Sequence, residues 1–206
     1  MFKSYLSLIA FLCVFFTSFS QVNKNLDLDA LSLKYAKSSF DELQEFFSLP
    51  NDAYQPNQIE PNVKWCESAF AKRGFRTQRL ETETVPLLLA TRNYPNAKKT
   101  VLIYLQVDGQ PVDISKWYQP DPYIPALKEQ DEQGNWNSID WNNLKGEINR
   151  DWRIFSRSAS DARGPDMMFL KAMDIINDLR IQPNFNIKVI MDFEEELGSP
   201  RLPEGV

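Results

Sequence analysis

The 206-residue chain contains no histidine. No imidazole is present to serve as a general base, to orient a nucleophile or to bind a borderline-soft cation through nitrogen. Cysteine is almost as scarce, Cys13 and Cys66 being the only two. Cys13 lies in an apolar N-terminal run without the small-residue signal of a lipoprotein before it, so loss of that run leaves one thiol and excludes an intrachain disulfide. Cys66 shares helical spacing with Val63, Ala69 and Phe70, which predicts a core position, and it has no imidazole to activate it. Glycine is sparse, at 7 residues, and forms no phosphate-cradling loop. Lys and Arg are scattered among acids in a chain of net charge -5, which excludes the basic stripe needed to bind nucleic acid.

What is present fits one domain with a core of its own, since 43% of the residues are hydrophobic. The first twenty residues hold Lys3, the apolar run Tyr5 to Phe16 and the small-residue stretch Thr17-Ser18-Phe19-Ser20. This is the pattern of a secretory signal peptide over residues 1–20, cleaved near Gln21. The run is shorter than the roughly 20 residues a bilayer span needs, so the expectation is export to the periplasm or exterior, with no membrane attachment once the leader is gone. Residues 21–206 are then the folded domain.

Phe40, Leu43, Phe46 and Phe47 recur at helical spacing, which predicts one helix within 25–49, stopped by Pro50-Asn51-Asp52. A polar loop is expected over Gln55 to Glu60. Pro61 then stands near the start of a second helix that ends at Gly74. Thr100 to Leu105 is short and almost wholly apolar, the pattern of a central strand. Gln106 to Asn149, rich in Pro, Asp, Asn and Trp, predicts a long surface excursion near a site. Gly164-Pro165 opens a helix with Met168, Ala172, Ile175, Ile176 and Leu179 on its packed face and Lys171, Asp174 and Asp178 on its wet face. Phe185 to Asp192 is a covered strand, and the strand–helix–strand order predicts an α/β layer.

If Tyr104, Phe155 and Met191 lie near the carboxyl ends of neighbouring strands, Asp108, Asp161 and the pair Glu195-Glu196 converge on one crevice. Each acid also has a plain structural role open to it: Asp161 as a helix cap, Glu194 to Glu196 as a solvated run.

Three ordered segments, Val101 to Asp113, Asp151 to Asp161 and Phe193 to Pro200, closely resemble the motifs of dinuclear zinc exopeptidases, a family that includes aminoacylases, carnosinases, succinyl-diaminopimelate desuccinylases and glutamate carboxypeptidases. The resemblance spans most of the chain after about Phe40 and corresponds to the N-terminal half of such an enzyme. It implies a three-layer α/β/α catalytic domain, incomplete at its C-terminus, and metal-dependent hydrolysis of short peptides or N-acyl amino acids with two zinc ions. It further implies Asp161 as the carboxylate bridging the metals, Glu196 as a ligand of one, Glu195 as general base and Asp108 as the acid orienting a histidine ligand. Gln106 stands at that histidine's place, Ala162 where a second acid is usual and Phe193 where glycine is common. With the degenerate ligand position Gln106, negligible hydrolysis by the isolated chain is expected. The alternative is a non-catalytic remnant, or half of an assembly completed by a complementary chain.

Overall fold

The computed structural model describes residues 26–205; the expected leader and its cleavage point at Gln21 lie outside them. Helix α1 (Leu28–Lys37) starts at Asp27, whose side chain accepts from the Ala30 N–H. Helix α2 (Phe40–Phe47) follows after a break at Ser38-Ser39, so the single helix expected here is two. The two serine hydroxyls donate back to the carbonyls of Tyr35 and Ala36, offering the backbone an alternative to continuing the helix.

Helix α3 (Pro56–Lys72) begins a turn earlier than the sequence suggests. Pro56 occupies its first turn, where a missing N–H costs nothing, and Pro61 sits inside the helix. The supposed polar loop is therefore helical. Asn62, fully buried, donates from Nδ2 to the carbonyls of Gln58 and Pro50 and so ties the helix to the segment before it. Gly74, at φ +80°, ends the helix as expected, with the Phe75 N–H reaching back to the Phe70 carbonyl at 3.1 Å.

Strands β1 (Arg76–Leu80), β2 (Leu87–Arg92), β3 (Lys99–Gln106) and β7 (Phe185–Asp192) form a mixed sheet in the order β1-β2-β7-β3. β2 is antiparallel to both β1 and β7, while β3 runs parallel to β7 from Lys99↔Phe185 to Gln106↔Asp192. β7 is thus a central strand. β3, expected to be central, is the edge among the described residues, and Val101, Leu102 and Tyr104 on it are exposed. An apolar run records what a strand is suited to cover, not whether a neighbour lies beside it.

The excursion after Gln106 is not irregular throughout: β4 (Ala126–Gln130), β5 (Trp136–Ser138) and β6 (Arg153–Phe155) make a second, antiparallel sheet in the order β5-β4-β6. Phe155 therefore ends a strand of this smaller sheet and does not flank Tyr104 and Met191. The strand before helix α4 (Gly164–Asp178) is not the one that pairs with β7; β3 takes that place.

On one face of the large sheet, Leu88, Ala90, Ile187, Val189 and Met191 join Phe46, Phe47, Val63, Phe70, Met167, Leu170 and Met173 in one core. Cys66 lies in it, buried as the spacing predicted. The opposite face meets the short C-terminal turn α5 (Leu202–Gly205), whose Gly205 approaches Leu80 and Leu87. The fold is α/β. In α4 the fully packed positions are Met167, Leu170 and Met173, with Ile176 of the expected stripe partly buried against the same core, while Met168 and Ala172 face solvent. The supposed wet face is partly occupied: Asp178 accepts from the Tyr35 hydroxyl at 2.6 Å, and Lys171 and Asp174 enter an ion network. Among the described residues no helix is long and apolar enough to cross a membrane.

That network joins three helices. Arg73, 4% exposed, contacts Glu42 at 2.8 Å and Asp174 at 2.8 Å, and Lys171 contacts Glu42 at 2.8 Å. Burial works against the Glu42 charge, but hydrogen bonds from Arg73 and Lys171 outweigh it and hold the carboxyl down at about 2 against an ordinary 4.5. A carboxyl depressed in the folded state stabilises fully above its unfolded pKa, and that contribution is lost as pH falls toward 2. At about 1.4 kcal/mol per pH unit, it amounts to roughly 3 kcal/mol. Glu42→Gln should lower stability by that amount at pH 7 and have little effect near pH 2; urea titrations at both pH values measure this, and equal losses at the two would refute the assignment.

Candidate functional site

Because β3 and β7 are parallel, their carboxyl ends meet, with Gln106 opposite Asp192. The Val107 N–H donates to the Asp192 carbonyl at 3.0 Å, extending the pairing beyond β3. Asp108, fully buried, then accepts the Glu196 N–H at Oδ2, 3.0 Å away, fastening the turn Glu195–Leu197 over the end of β3. Asp192 does the same for Glu194, accepting its N–H at 2.9 Å through Oδ1, while Oδ2 accepts from the Tyr104 hydroxyl at 3.1 Å. Glu194 is itself buried and accepts from the Thr84 hydroxyl at 2.7 Å. Burial pushes the Asp108 carboxyl up to about 7 although the Glu196 amide opposes the shift, and its Oδ1 has no hydrogen-bond partner.

The second wall comes from the segment that runs from β6 into α4. Ala159–Arg163 is a kinked turn in which Asp161 and Ala162 depart from helical geometry, and the Asp161–Ala162 peptide bond is cis. Two buried side chains hold it. Asn51 donates from Nδ2 to the Val107 carbonyl at 2.8 Å and to Ser158 Oγ at 3.0 Å, joining the turn to the end of β3. Arg163 donates to the carbonyls of Phe46 and Leu49, both at 2.7 Å, and to Asn62 Oδ1. Asp161 does not cap α4 and remains exposed.

Between the two walls lies a crevice of about 270 Å³ lined by Gln110, Trp117, Ser158, Asp161 and Glu196 among others. Glu196 accepts from Gln110 Nε2 at 2.8 Å. The Glu195 carboxyl is raised by partial burial and then by the charges of Glu196, Asp161 and Asp192, so these acids share one field. Asp161 and Glu196 thus line one crevice from its two walls, Glu195 feels the charges of both, and Asp108 lies buried beneath the turn that carries the glutamates. Phe193, which stands where glycine is common in the motif, is fully buried in the core. Gln110 and Trp117 were not singled out from sequence; the only signal for them was their place in the long excursion after Gln106.

The zinc pair implied by the motifs needs donors of a particular kind. Gln106 offers a neutral amide where imidazole nitrogen is required, Ala162 offers a methyl group, and Asp108 is left with no ring to orient. Among the described residues no three Asp, Glu or Cys side chains gather closely enough to hold a metal ion. The donor set does not fit a dinuclear zinc centre. What it can do without one is accept hydrogen bonds and attract cations.

Comparison with known proteins identifies the scaffold. The chain is 28% identical over 138 residues to the Cys-Gly metallodipeptidase dug1 of Schizosaccharomyces pombe, covering 65% of this chain and 24% of that protein. It is 29% identical over 119 residues to the human Beta-Ala-His dipeptidase, covering 58% and 19%. Among solved structures, an M20 family metallo-carboxypeptidase, Sso-CP2 from Sulfolobus solfataricus, superposes with a TM-score of 0.61 at 30% identity over 78% of this chain and 32% of that one. Human carnosine dipeptidase 1 shares the fold, with a TM-score of 0.63 at 22% identity, covering 86% and 36%. No family model matches the chain. The chain thus spans about a quarter or less of the curated relatives it matches.

The junction of the two walls is tight enough to test. A Cβ on Gly109 would run into Ser158 Oγ and stand 3.1 Å from Asn51 Oδ1. Gly109→Ala should therefore cost about 1–3 kcal/mol, as overpacking does, and Ser158→Ala in the same chain should recover part of it. Thermal denaturation of the single and double variants measures both; additive losses would show that the walls do not meet there.

Proposed function

We propose that this chain, which belongs to the M20 metallopeptidase family, presents that family's peptide-hydrolase scaffold without hydrolysing peptides by itself. The relatives named as Cys-Gly and Beta-Ala-His dipeptidases point to short peptides as the ligand class, with N-acyl amino acids the related alternative. One observation carries the absence of turnover: at the end of β3, in register with Asp192, the chain places Gln106. None of the 206 residues is a histidine. Hydrolysis at a dinuclear site requires cations to acidify the attacking water, and a carboxylate set without nitrogen donors holds zinc weakly. Glu195, positioned to take a proton, then has no activated water to act on.

The exposed edge of β3 favours a second reading, in which another polypeptide pairs with that strand and supplies further donors. An unpaired apolar edge is a template for strand addition. On that reading a complementary chain raises the melting temperature of this one; an unchanged melting temperature at saturating partner counts against it.

Zinc calorimetry on the protein, with Gln106→His and Glu196→Ala alongside, tests the main reading. The native chain should show no binding at micromolar zinc and no zinc-, manganese- or cobalt-dependent cleavage of Cys-Gly or Beta-Ala-His. Micromolar zinc binding that Glu196→Ala abolishes, or metal-dependent turnover of either dipeptide, would overturn it.

A further inference from the structure

The small sheet carries a second cavity, of about 590 Å³, and Trp117 lines both it and the acidic crevice. Trp117, Tyr118, Trp136 and Phe155 supply its aromatic walls, and lysine, amide and glycine residues the rest. The Trp136 and Phe155 rings lie 5.2 Å apart. Tyr118 is 98% exposed, so one side is open to entering molecules.

Lys128 on β4 lines the same cavity and is only 6% exposed. Its Nζ stands 4.7 Å from the centre of the Phe155 ring and donates to Gln119 Oε1 at 3.5 Å, a long and weak contact. Gln119 cannot turn freely, because its Nε2 donates to the Phe155 carbonyl at 3.0 Å. Among the described residues no carboxylate pairs with Lys128, which sets it apart from Arg73, Lys171 and Arg79, each held by acids. A buried ammonium facing an amide and a ring is poorly compensated, and an anion entering the cavity would complete it.

We propose that this cavity binds an organic carboxylate with an aromatic body, such as the C-terminal aromatic residue of a short peptide. The carboxylate sits on Lys128 Nζ, and the ring lies against Trp136 and Phe155. Offset and tilted aromatic contacts supply the apolar part of the affinity, and the charge pair discriminates acids from their neutral analogues. Through Trp117 the site adjoins the crevice that holds Asp161 and Glu196, but it uses none of the acids there. It therefore stands whether or not the chain hydrolyses peptides.

Titration calorimetry with N-acetyl-L-tyrosine and N-acetyl-L-tyrosinamide distinguishes the two parts of the site. The native protein should bind the acid about tenfold or more tightly than the amide, the size of effect expected of one charge-assisted contact. Lys128→Met should remove the preference, and Trp136→Ala should weaken both ligands together, with circular dichroism confirming that the variants fold. The comparison of acid with amide needs no variant. Equal binding of the two by the native protein, or no binding of the acid at millimolar concentration, overturns the proposal.

Discussion

The guanidinium of Arg163 is fully buried, and much of the molecule is arranged around it. Burial draws its pKa down to about 10, so its charge is retained near neutral pH. A buried cation is tolerated only where its donors are taken up. Here Nη1 donates to the carbonyls of Phe46 in α2 and of Leu49 just beyond it, Nη2 donates to Asn62 in α3, Cζ lies 4.8 Å from the centre of the Phe46 ring, and Nε alone has no partner among the described residues. One residue thus binds the exit of one helix, the body of another and the turn that carries Asp161.

Asn51 performs the complementary task on the other side of the same turn. It joins Val107 to Ser158, and with Arg163 it fixes the turn between the helical layer and the end of β3. The crevice is therefore positioned by side chains that do not line it. Trp65 stacked on Phe46 at 3.9 Å extends the same support into α3. Polar groups that are buried and satisfied specify a geometry more narrowly than apolar packing alone, since each has few partners it can reach.

Much of this was legible in the sequence, and the failures share a cause. Helix punctuation by Gly74, the helix opened by Gly164-Pro165, the β7 strand and the buried Cys66 all follow from local pattern. Pro61 misled because it marks a helix start only when no earlier residue can begin one, and Pro56 does. The face of α4 was misassigned because Lys171 and Asp174 look solvated in isolation, whereas Arg73 and Glu42, distant in sequence, draw them inward. β3 was placed centrally because its apolar side chains say nothing of strand order. In each case the deciding partner lies far away along the chain.

The acids at the ends of β3 and β7 were legible as a group, and the structure gives two of them a task that the motifs do not mention. Asp108 and Asp192 are acceptors for the amides of Glu196 and Glu194, and so shape the turn that follows β7. Those bonds require only a carboxylate oxygen at the right place. Glu195, Glu196 and Asp161 have no such structural duty in full: Glu196 leans on Gln110, and Asp161 faces solvent. Crowded carboxylates repel, and here partial burial together with its neighbours' charges raises the Glu195 carboxyl. The bonds that hold the crevice in shape run from Asp108 and Asp192 to backbone amides and involve no atom of Gln106.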